Sequence, residues 1–329
     1  MPILLARRNA LRGTVLSLAA SAFVGLKAAR AAPPSATSEP ADPTVEYKTQ
    51  AVGPVEVFYR EAGPPDAPVV LLLHGYPTAS HMFRGLIPLL ATRYRVIAPD
   101  LPGFGQTQSP PRGQFAYTFD NLAKVMEGFT DALGLTRYTL YLFDYGAPTG
   151  FRLAAARPDR VSAIVSQNGN AYDEGLSDGW KPYRTYWREP TPAHRNACRT
   201  LLSPETTKFQ YFHGSPAKLV SPDGYTLDIA YLARPGMDEI QLDLILDYRT
   251  NVALYPSWQA YLRTHKPPLL AVWGKNDPFF LPPGAEAFRR DVPDAEIHFV
   301  DAGHFALETH AAVIGQRMVE FLDRRVVRT

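Results

Sequence analysis

Three ionisable side chains each follow an apolar run of the sequence. They are Asp144 after Thr139–Phe143, Asp277 after Leu269–Trp273, and His304 after Ile297–Val300. A carboxylate is ionised at neutral pH without the help of a base, so it can displace a leaving group from saturated carbon and form an ester. A histidine can then take a proton from water to hydrolyse that ester, and a second carboxylate can orient the histidine. Two carboxylates and a histidine at such positions could therefore carry out a two-step hydrolysis, with one carboxylate as nucleophile and the histidine as base.

Each residue also has a purely structural interpretation. Asp144 could cap the helix that follows it. Asp277 precedes Pro278, where Asp is a common turn residue, and a lone His304 could be structural. The occurrence of all three directly after strand-like runs favours the catalytic interpretation.

These residues need a sheet that brings strand ends together. Apolar runs typical of strands buried on both faces recur along the chain, at Val69–Leu73, Val96–Ala98, Thr139–Phe143, Ala163–Val165, Leu269–Trp273 and Ile297–Val300. Helical patterns lie between them, as at Phe119–Leu133 and Ala147–Arg157, and the alternating Val55–Glu61 is typical of an edge strand. The pattern predicts an α/β fold with a mostly parallel, doubly covered sheet, which places its chemistry at the carboxyl ends of the strands.

The alternation of strands and helices stops between residues 172 and 265. This stretch has no strand-like apolar run, contains fourteen aromatic residues, and includes helical patterns such as Asp238–Asp247. We predict that 172–265 is a helical cap inserted into a core formed by 45–171 and 266–329.

The turn at Asp144 resembles a known motif. Asp144-Tyr145-Gly146-Ala147-Pro148 resembles the nucleophile elbow of α/β-hydrolases, with Asp in place of the Ser of esterases. The order Asp144, Asp277, His304 matches the nucleophile, acid and base order of that fold. The resemblance implies an oxyanion hole made by the backbone N–H groups of Tyr145 and of Tyr76, in His74-Gly75-Tyr76-Pro77.

From about Val55 to Leu322 the sequence is similar to the epoxide hydrolase and haloalkane dehalogenase branch of this superfamily. Epoxide hydrolases of the branch use two cap tyrosines to hydrogen-bond the ring oxygen. The segments around Tyr183 and Tyr248 resemble the segments that hold them. The same resemblance implies that His74, Pro77 and Trp187 belong to the pocket.

The choice between the two reactions stays open. Dehalogenases usually carry a Trp after the nucleophile and an Asn after the His-Gly pair, where this chain has Tyr145 and Tyr76. However, Leu142 replaces a Gly common in epoxide hydrolases, and Tyr248-Arg249 resembles a cap pair of fluoroacetate-type dehalogenases. An epoxide needs a proton donor, because an alkoxide is far more basic than a halide, but the tyrosines could also merely line an apolar pocket. Epoxide hydrolysis is the favoured hypothesis, with dehalogenation, another hydrolysis on the same scaffold, and non-catalytic binding of a small ligand as alternatives.

We expect a small apolar or weakly polar organic substrate and no cofactor. The chain has no His-Glu-x-x-His, no clustered cysteines and no Walker-type loop, so no metal is expected. Residues 1–31 contain five of the 34 Lys and Arg and none of the 32 Asp and Glu, so the remainder carries 29 basic against 32 acidic residues, a net charge of −3. That charge gives no electrostatic footprint for nucleic acid. The sequence does not indicate an oligomeric state.

The N-terminus is typical of an export signal. Arg7-Arg8 precede the uncharged apolar run Thr14–Leu26, which is followed by Ala29-Arg30-Ala31. The run is too short to span a bilayer, so no permanent anchor is expected. We predict a twin-arginine-like signal at 1–31, a flexible leader at 32–44, and a periplasmic or secreted protein. The single Cys198 excludes an intramolecular disulfide.

Overall fold

The computed structural model describes residues 43–326, which belong to one compact unit. Their strands form a single eight-stranded sheet. The strands are β1 (Glu46–Val52), β2 (Val55–Ala62), β3 (Val69–Leu73), β4 (Arg95–Pro99), β5 (Tyr138–Leu142), β6 (Val161–Ser166), β7 (Leu269–Gly274) and β8 (Glu296–Val300). The order across the sheet is β1-β2-β4-β3-β5-β6-β7-β8. The six strands from β3 to β8 are parallel, whereas β2 is antiparallel to both β1 and β4. The predicted α/β class and the mostly parallel sheet are confirmed.

The edge of the sheet differs from the prediction. β2 was expected at the edge, but it lies inside the sheet, because β1 pairs with it over its whole length. β1 has the sequence Glu-Tyr-Lys-Thr-Gln-Ala-Val, and its side chains are exposed or half-buried. A polar edge strand of this kind has no apolar run to reveal it.

The helices outside the cap cover both faces of the sheet. They are α1 (Ile87–Leu90), α2 (Phe119–Ala132), α3 (Gly146–Ala156), α9 (Pro282–Glu286), α10 (Phe288–Asp291) and α11 (Ala306–Arg325), with 3-10 turns at Ser80–Phe83 and Pro158–Arg160. Successive side chains of β3 point to opposite faces, so Leu71 and Leu73 pack in the cluster that contains α2 and α3. Val70 and Leu72 pack in the other cluster, with α1 and α11. The sheet is therefore doubly covered.

The described segment from 172 to 265 is helical. It contains α4 (Lys181–Arg188), α5 (Pro192–Ala197), α6 (Pro204–Phe212), α7 (Pro222–Leu232) and α8 (Met237–His265), with 3-10 turns at Asp173–Gly175, Asp178–Trp180, Cys198–Leu202 and Ala217–Leu219. The helical stretch expected at Asp238–Asp247 is only the first part of the 29-residue α8, which continues through Pro256. We call 172–265 the cap.

The predicted export signal at 1–31 and the leader up to residue 42 lie outside the described residues. Within 43–326, no helix combines the length and the apolar composition needed to cross a membrane.

Candidate active site

Asp144 lies on a sharp turn between β5 and α3. Its backbone φ of 45° is in the left-handed region, which residues other than Gly rarely adopt. The turn also demands small neighbours: a Cβ on Gly146 would lie 2.2 Å from the carbonyl oxygen of Leu73, and a Cβ on Gly75 would lie 2.3 Å from the Cβ of Asp144. The two glycines thus let β3 and the turn approach closely, so that the Asp144 carboxylate is held at the strand end.

The two oxygens of the Asp144 carboxylate have different surroundings. Oδ1 accepts hydrogen bonds from the backbone N–H groups of Tyr76 and Tyr145, each at 2.6 Å. Oδ2 lies 3.9 Å from Nε2 of His304, which is too long for a direct hydrogen bond. One oxygen is therefore fixed by two donors, and the other remains available to react.

His304 and Asp277 form a buried pair. The Nδ1–H of His304 donates to Oδ2 of Asp277 at 2.7 Å. Oδ1 of Asp277 accepts from the backbone N–H groups of Phe279 and Phe280, at 2.7 and 3.1 Å. Because Nδ1 carries the proton in this arrangement, Nε2 of a neutral His304 presents its lone pair toward Asp144.

Asn168 supports Asp277, but it was not among the site residues predicted from the sequence. Its amide nitrogen donates to Oδ2 of Asp277 at 2.7 Å, and its oxygen accepts from the backbone N–H of Gly274 at 2.9 Å. Asn168 lies two residues beyond the end of β6, with φ of 51°. A polar residue just after a predicted buried strand is the same signal that identified Asp144, so it was present in the sequence.

Burial shifts the pKa of both reacting groups. Desolvation raises the pKa of Asp144 to about 6, although the charge of His304 and the two backbone donors partly oppose the rise. Burial lowers the pKa of His304, but the charge and hydrogen bond of Asp277, with the charge of Asp144, outweigh it and leave the pKa above its ordinary value. When Asp144 is converted to a neutral ester, the contribution of its charge disappears. The pKa of His304 then falls, which favours the neutral base that ester hydrolysis requires.

A small cavity of ≈ 30 Å³ lies over Asp144. Its polar lining consists of Asp144, His304, Gln210 and the tyrosines Tyr76, Tyr145, Tyr183 and Tyr248, and its apolar lining of Trp180, Leu201, Ile245 and Phe279. The structure therefore brings Tyr183 of α4 and Tyr248 of α8 to the same cavity as the carboxylate. Burial raises the pKa of both hydroxyls above the ordinary value, so both stay protonated donors at neutral pH.

Three residues expected in the pocket do not line this cavity. The ring of His74 is buried, where Nε2 accepts from the backbone N–H of Leu101 at 2.9 Å and Nδ1 donates to the carbonyl oxygen of Gly75 at 3.0 Å. Pro77 is buried beside it, after a cis peptide bond with Tyr76. Trp187 donates its indole N–H to the carbonyl oxygen of Ile245 at 2.6 Å and stacks on Tyr248. These residues shape and support the site instead of facing it.

The cap supplies lining residues that the sequence did not single out. Gln210 of α6 is buried, and Trp180, Leu201 and Ile245 come from three other parts of the cap. The order of residues in an irregular cap gives no periodic signal for which side chains converge, so they could not be found without the structure.

The site offers no evident metal centre. Among residues 43–326, no group of three or more His, Cys, Asp or Glu side chains is arranged to hold a metal ion.

Comparisons with known proteins identify the fold. A family model described as the alpha/beta hydrolase fold matches residues 68–311. An uncharacterized hydrolase of Saccharomyces cerevisiae is 46% identical over 83% of this chain and 95% of its own length. A haloalkane dehalogenase of Psychrobacter cryohalolentis is 28% identical over 82% of this chain and 88% of its own length. The crystal structure of haloalkane dehalogenase DbeA from Bradyrhizobium elkani superposes with a TM-score of 0.72, covering 87% of this chain and all of that one at 24% identity, which supports the fold alone.

Proposed function

We propose that this chain, which belongs to the alpha/beta hydrolase fold family, hydrolyses small epoxides to diols through an ester on Asp144. The protein is a hydrolase of this fold and is related to haloalkane dehalogenases, as the family match and the relatives show. The choice of epoxide as substrate is our proposal.

The observation that carries the proposal is the position of two tyrosines. Tyr183 and Tyr248 come from different cap helices, yet both line the cavity that holds the Asp144 carboxylate. Opening an epoxide develops charge on an oxygen that needs a proton, whereas a departing halide needs none. Two protonated tyrosines that line the same cavity as one carboxylate suit the first reaction.

In the first step, Oδ2 of Asp144 attacks a ring carbon. The ring C–O bond breaks, its electron pair stays on the oxygen, and that oxygen takes a proton from one tyrosine. The products are a neutral hydroxyalkyl ester and a tyrosinate, so the negative charge has moved from Asp144 to the tyrosine. Oδ1 remains between the N–H groups of Tyr76 and Tyr145.

In the second step, His304 takes a proton from water, and the hydroxide adds to Cγ of Asp144. The negative charge of the tetrahedral intermediate falls on Oδ1, where the two backbone N–H groups already point. Asp277 stabilises the imidazolium. Collapse breaks the Cγ–Oδ2 bond and releases the diol, whose oxygen takes the proton from His304. The carboxylic acid of Asp144 then gives its proton to the tyrosinate, which becomes tyrosine again. The enzyme returns to its starting charge.

Dehalogenation is the second candidate. It is favoured by relatives named haloalkane dehalogenases, one of which aligns over 82% of this chain. The same Asp144, His304 and Asp277 would serve both reactions, and the tyrosines would hydrogen-bond the halide without transferring a proton.

A panel of small epoxides and haloalkanes, with diol and halide measured separately, tests the choice. We expect diol formation that is lost in Asp144→Asn. Tyr248→Phe should lower kcat for epoxides by about 100-fold or more, because a positioned proton donor contributes about 10²- to 10⁴-fold. Asp301→Asn is the matched control for Asp144→Asn and should leave diol formation unchanged. Asp301 is an exposed carboxylate near His304 that pairs with Lys275 and does not line the cavity. Halide release without diol formation would overturn the choice of epoxide.

A further inference from the structure

Gln210 has a property that the proposed reaction does not use. Its side chain is 2% exposed, it lines the cavity over Asp144, and its Nε2 has no hydrogen-bond partner among the described residues. A buried amide nitrogen without a partner costs free energy, so its persistence calls for a ligand group that satisfies it.

The two other buried glutamines of the described chain show the contrast. Nε2 of Gln167 donates to the carbonyl oxygen of His304 at 3.1 Å, and Nε2 of Gln241 donates to the carbonyl oxygen of Gly103 at 3.0 Å. Neither residue lines the cavity. Among these three buried glutamines, the one whose amide nitrogen is unpaired is the one that lines the cavity with Asp144.

The surroundings of Gln210 define what it can bind. Apart from the catalytic groups and the tyrosines, the cavity wall consists of Trp180, Leu201, Ile245 and Phe279, which offer a substrate apolar contact. A substrate chain in this space meets one amide, which can present its N–H group or, after rotation, its carbonyl oxygen. A hydroxyl group matches both orientations, since it donates and accepts.

We propose that Gln210 is a specificity-determining residue that hydrogen-bonds an oxygen function, such as a hydroxyl, next to the reacting carbon of the substrate. The substrate class is then a small epoxide carrying a neighbouring oxygen, in preference to a plain alkyl epoxide. The cavity volume of ≈ 30 Å³, against the ~10–15 Å³ that one water needs on the same measure, restricts it to a few carbons. The inference rests on the proposed function in taking this cavity as the substrate site.

The test is a competition between two epoxides of equal heavy-atom number, glycidol and 1,2-epoxybutane, in the same reaction. Wild-type protein should favour glycidol in kcat/KM by at least about tenfold, and Gln210→Leu should reduce that ratio to near one. Because both substrates compete for the same active molecules, the ratio does not depend on how much of a variant folds.

Gln241→Leu is the matched control. It makes the same substitution at a buried cap glutamine outside the cavity, so the ratio should stay at the wild-type value. A wild-type ratio near one, or a ratio that Gln210→Leu leaves within twofold, would overturn the inference.

A binding measurement separates this inference from the proposed function. Asp144→Asn lacks the nucleophile, and Trp180 in the cavity wall provides a fluorescence signal for binding of either epoxide. Suppose that no epoxide is turned over, that Asp144→Asn binds glycidol more tightly than 1,2-epoxybutane, and that adding Gln210→Leu removes this difference. The role of Gln210 then stands, whereas the proposal of epoxide hydrolysis fails. Equal binding of both epoxides by Asp144→Asn refutes the role of Gln210.

Discussion

Asp144 combines a reactive position with an energetic cost. Its carboxylate is buried, and burial raises its pKa from 3.8 to about 6 despite two backbone donors on Oδ1. A carboxylate that is poorly solvated is a stronger nucleophile, but its ionised form weakens the folded state. The residue that performs the first step should therefore destabilise the protein at neutral pH.

Asp144→Asn should reveal that cost as a pH dependence. Since the folded-state pKa lies above the unfolded value, the wild-type folded state binds more protons between pH 3.8 and about 6 and loses stability as the pH rises through this window. Asn does not titrate. The free energy of unfolding of Asp144→Asn relative to wild type should thus rise by about 2 kcal/mol between pH 4 and pH 7.5, as measured by urea denaturation. A difference in the free energy of unfolding that stays constant with pH would contradict a raised pKa of Asp144 in the folded state.

The rate of ester formation should depend on the ionisation of the Asp144 carboxylate. Only ionised Asp144 can attack, so the rate of the first step should fall as the pH drops through about 6. Single-turnover experiments on His304→Gln isolate this step from ester hydrolysis. Since that substitution also removes the imidazolium charge that lowers the pKa of Asp144, the midpoint in the variant should lie at or above about 6. A midpoint near 4 would mean that the carboxylate is well solvated.

At the residue scale, the sequence was informative where chemistry coincides with a strand end. Asp144, Asp277 and His304 each follow an apolar run, and parallel strands bring their carboxyl ends to one edge. Gln210 lies in a cap helix, where no such rule connects position in the chain to position in space. Its neighbours in the cavity could be known only from the folded structure.

At the scale of elements, α8 connects the cap to the nucleophile helix. Arg152 of α3 donates from Nη1 to Oδ1 of Asn251 at 2.7 Å and from Nη2 to Oγ1 of Thr250 at 3.1 Å. Asp247 accepts from the backbone N–H of Phe119, the first residue of α2, at 2.7 Å. These contacts flank Tyr248 on α8, so they fix the part of the helix that brings Tyr248 to the cavity.

Arg152→Lys tests that connection. A lysine keeps the charge, but its single ammonium group cannot reproduce the fork that binds Thr250 and Asn251 together. We expect the free energy of unfolding to fall by about 1–3 kcal/mol, because Asn251 is fully buried, and kcat to fall about tenfold through misplacement of Tyr248.

Arg157→Lys provides the control for Arg152→Lys. Arg157 follows the end of α3 and pairs with Glu127 at a partly exposed position, so its replacement should change the free energy of unfolding by no more than about 0.5 kcal/mol. If Arg152→Lys lowered stability but left kcat unchanged, Arg152 would support the fold without positioning Tyr248.

The elements that the sequence predicted well are those buried on both faces. Leu269–Gly274 has an uninterrupted apolar run, and the structure has a strand there. β1 was missed because its polar side chains lie at the sheet edge, and α8 was underestimated because its second half mixes aromatic and charged residues. Hydrophobic pattern reports burial, so elements at an edge or between cap and core give a weaker signal.

At the scale of the whole molecule, a buried polar contact between His81 and Asp228 attaches the cap to the core. Nε2 of His81, in the turn after β3, lies 3.0 Å from Oδ1 of Asp228 in α7, and the hydroxyl of Tyr211 in α6 donates to Oδ2 of Asp228 at 2.6 Å. Replacing His81 leaves the buried Asp228 carboxylate with Tyr211 as its remaining hydrogen-bond donor. The cap is therefore fixed over the cavity by specific pairing as well as by apolar packing.

His81→Ala measures that attachment. It should lower the free energy of unfolding by about 3 kcal/mol, because Asp228 is fully buried and loses its neighbour. The double variant with Asp228→Asn should recover part of the loss, since an amide is less costly to bury than an unpaired carboxylate. Additive losses in the two single variants would show that the pair does not interact.

Export of the whole protein remains a prediction from the sequence. Fusing residues 1–44 to a reporter that is active only after export should direct it out of the cytoplasm, and replacing Arg7 and Arg8 by Lys should reduce that export strongly if the twin-arginine route is used. A reporter retained in the cytoplasm would contradict the assignment of 1–31 as a signal.

The central claim is that Asp144 becomes covalently bonded to substrate carbon. His304→Gln removes the base of the second step and leaves the first intact, so the ester should accumulate. Mass spectrometry of this variant after exposure to small epoxides and haloalkanes should show an increase of one substrate-derived group on the peptide containing Asp144, and Asp144→Asn combined with His304→Gln should show none. Absence of the adduct with every member of the panel, in a variant that remains folded, would contradict the account.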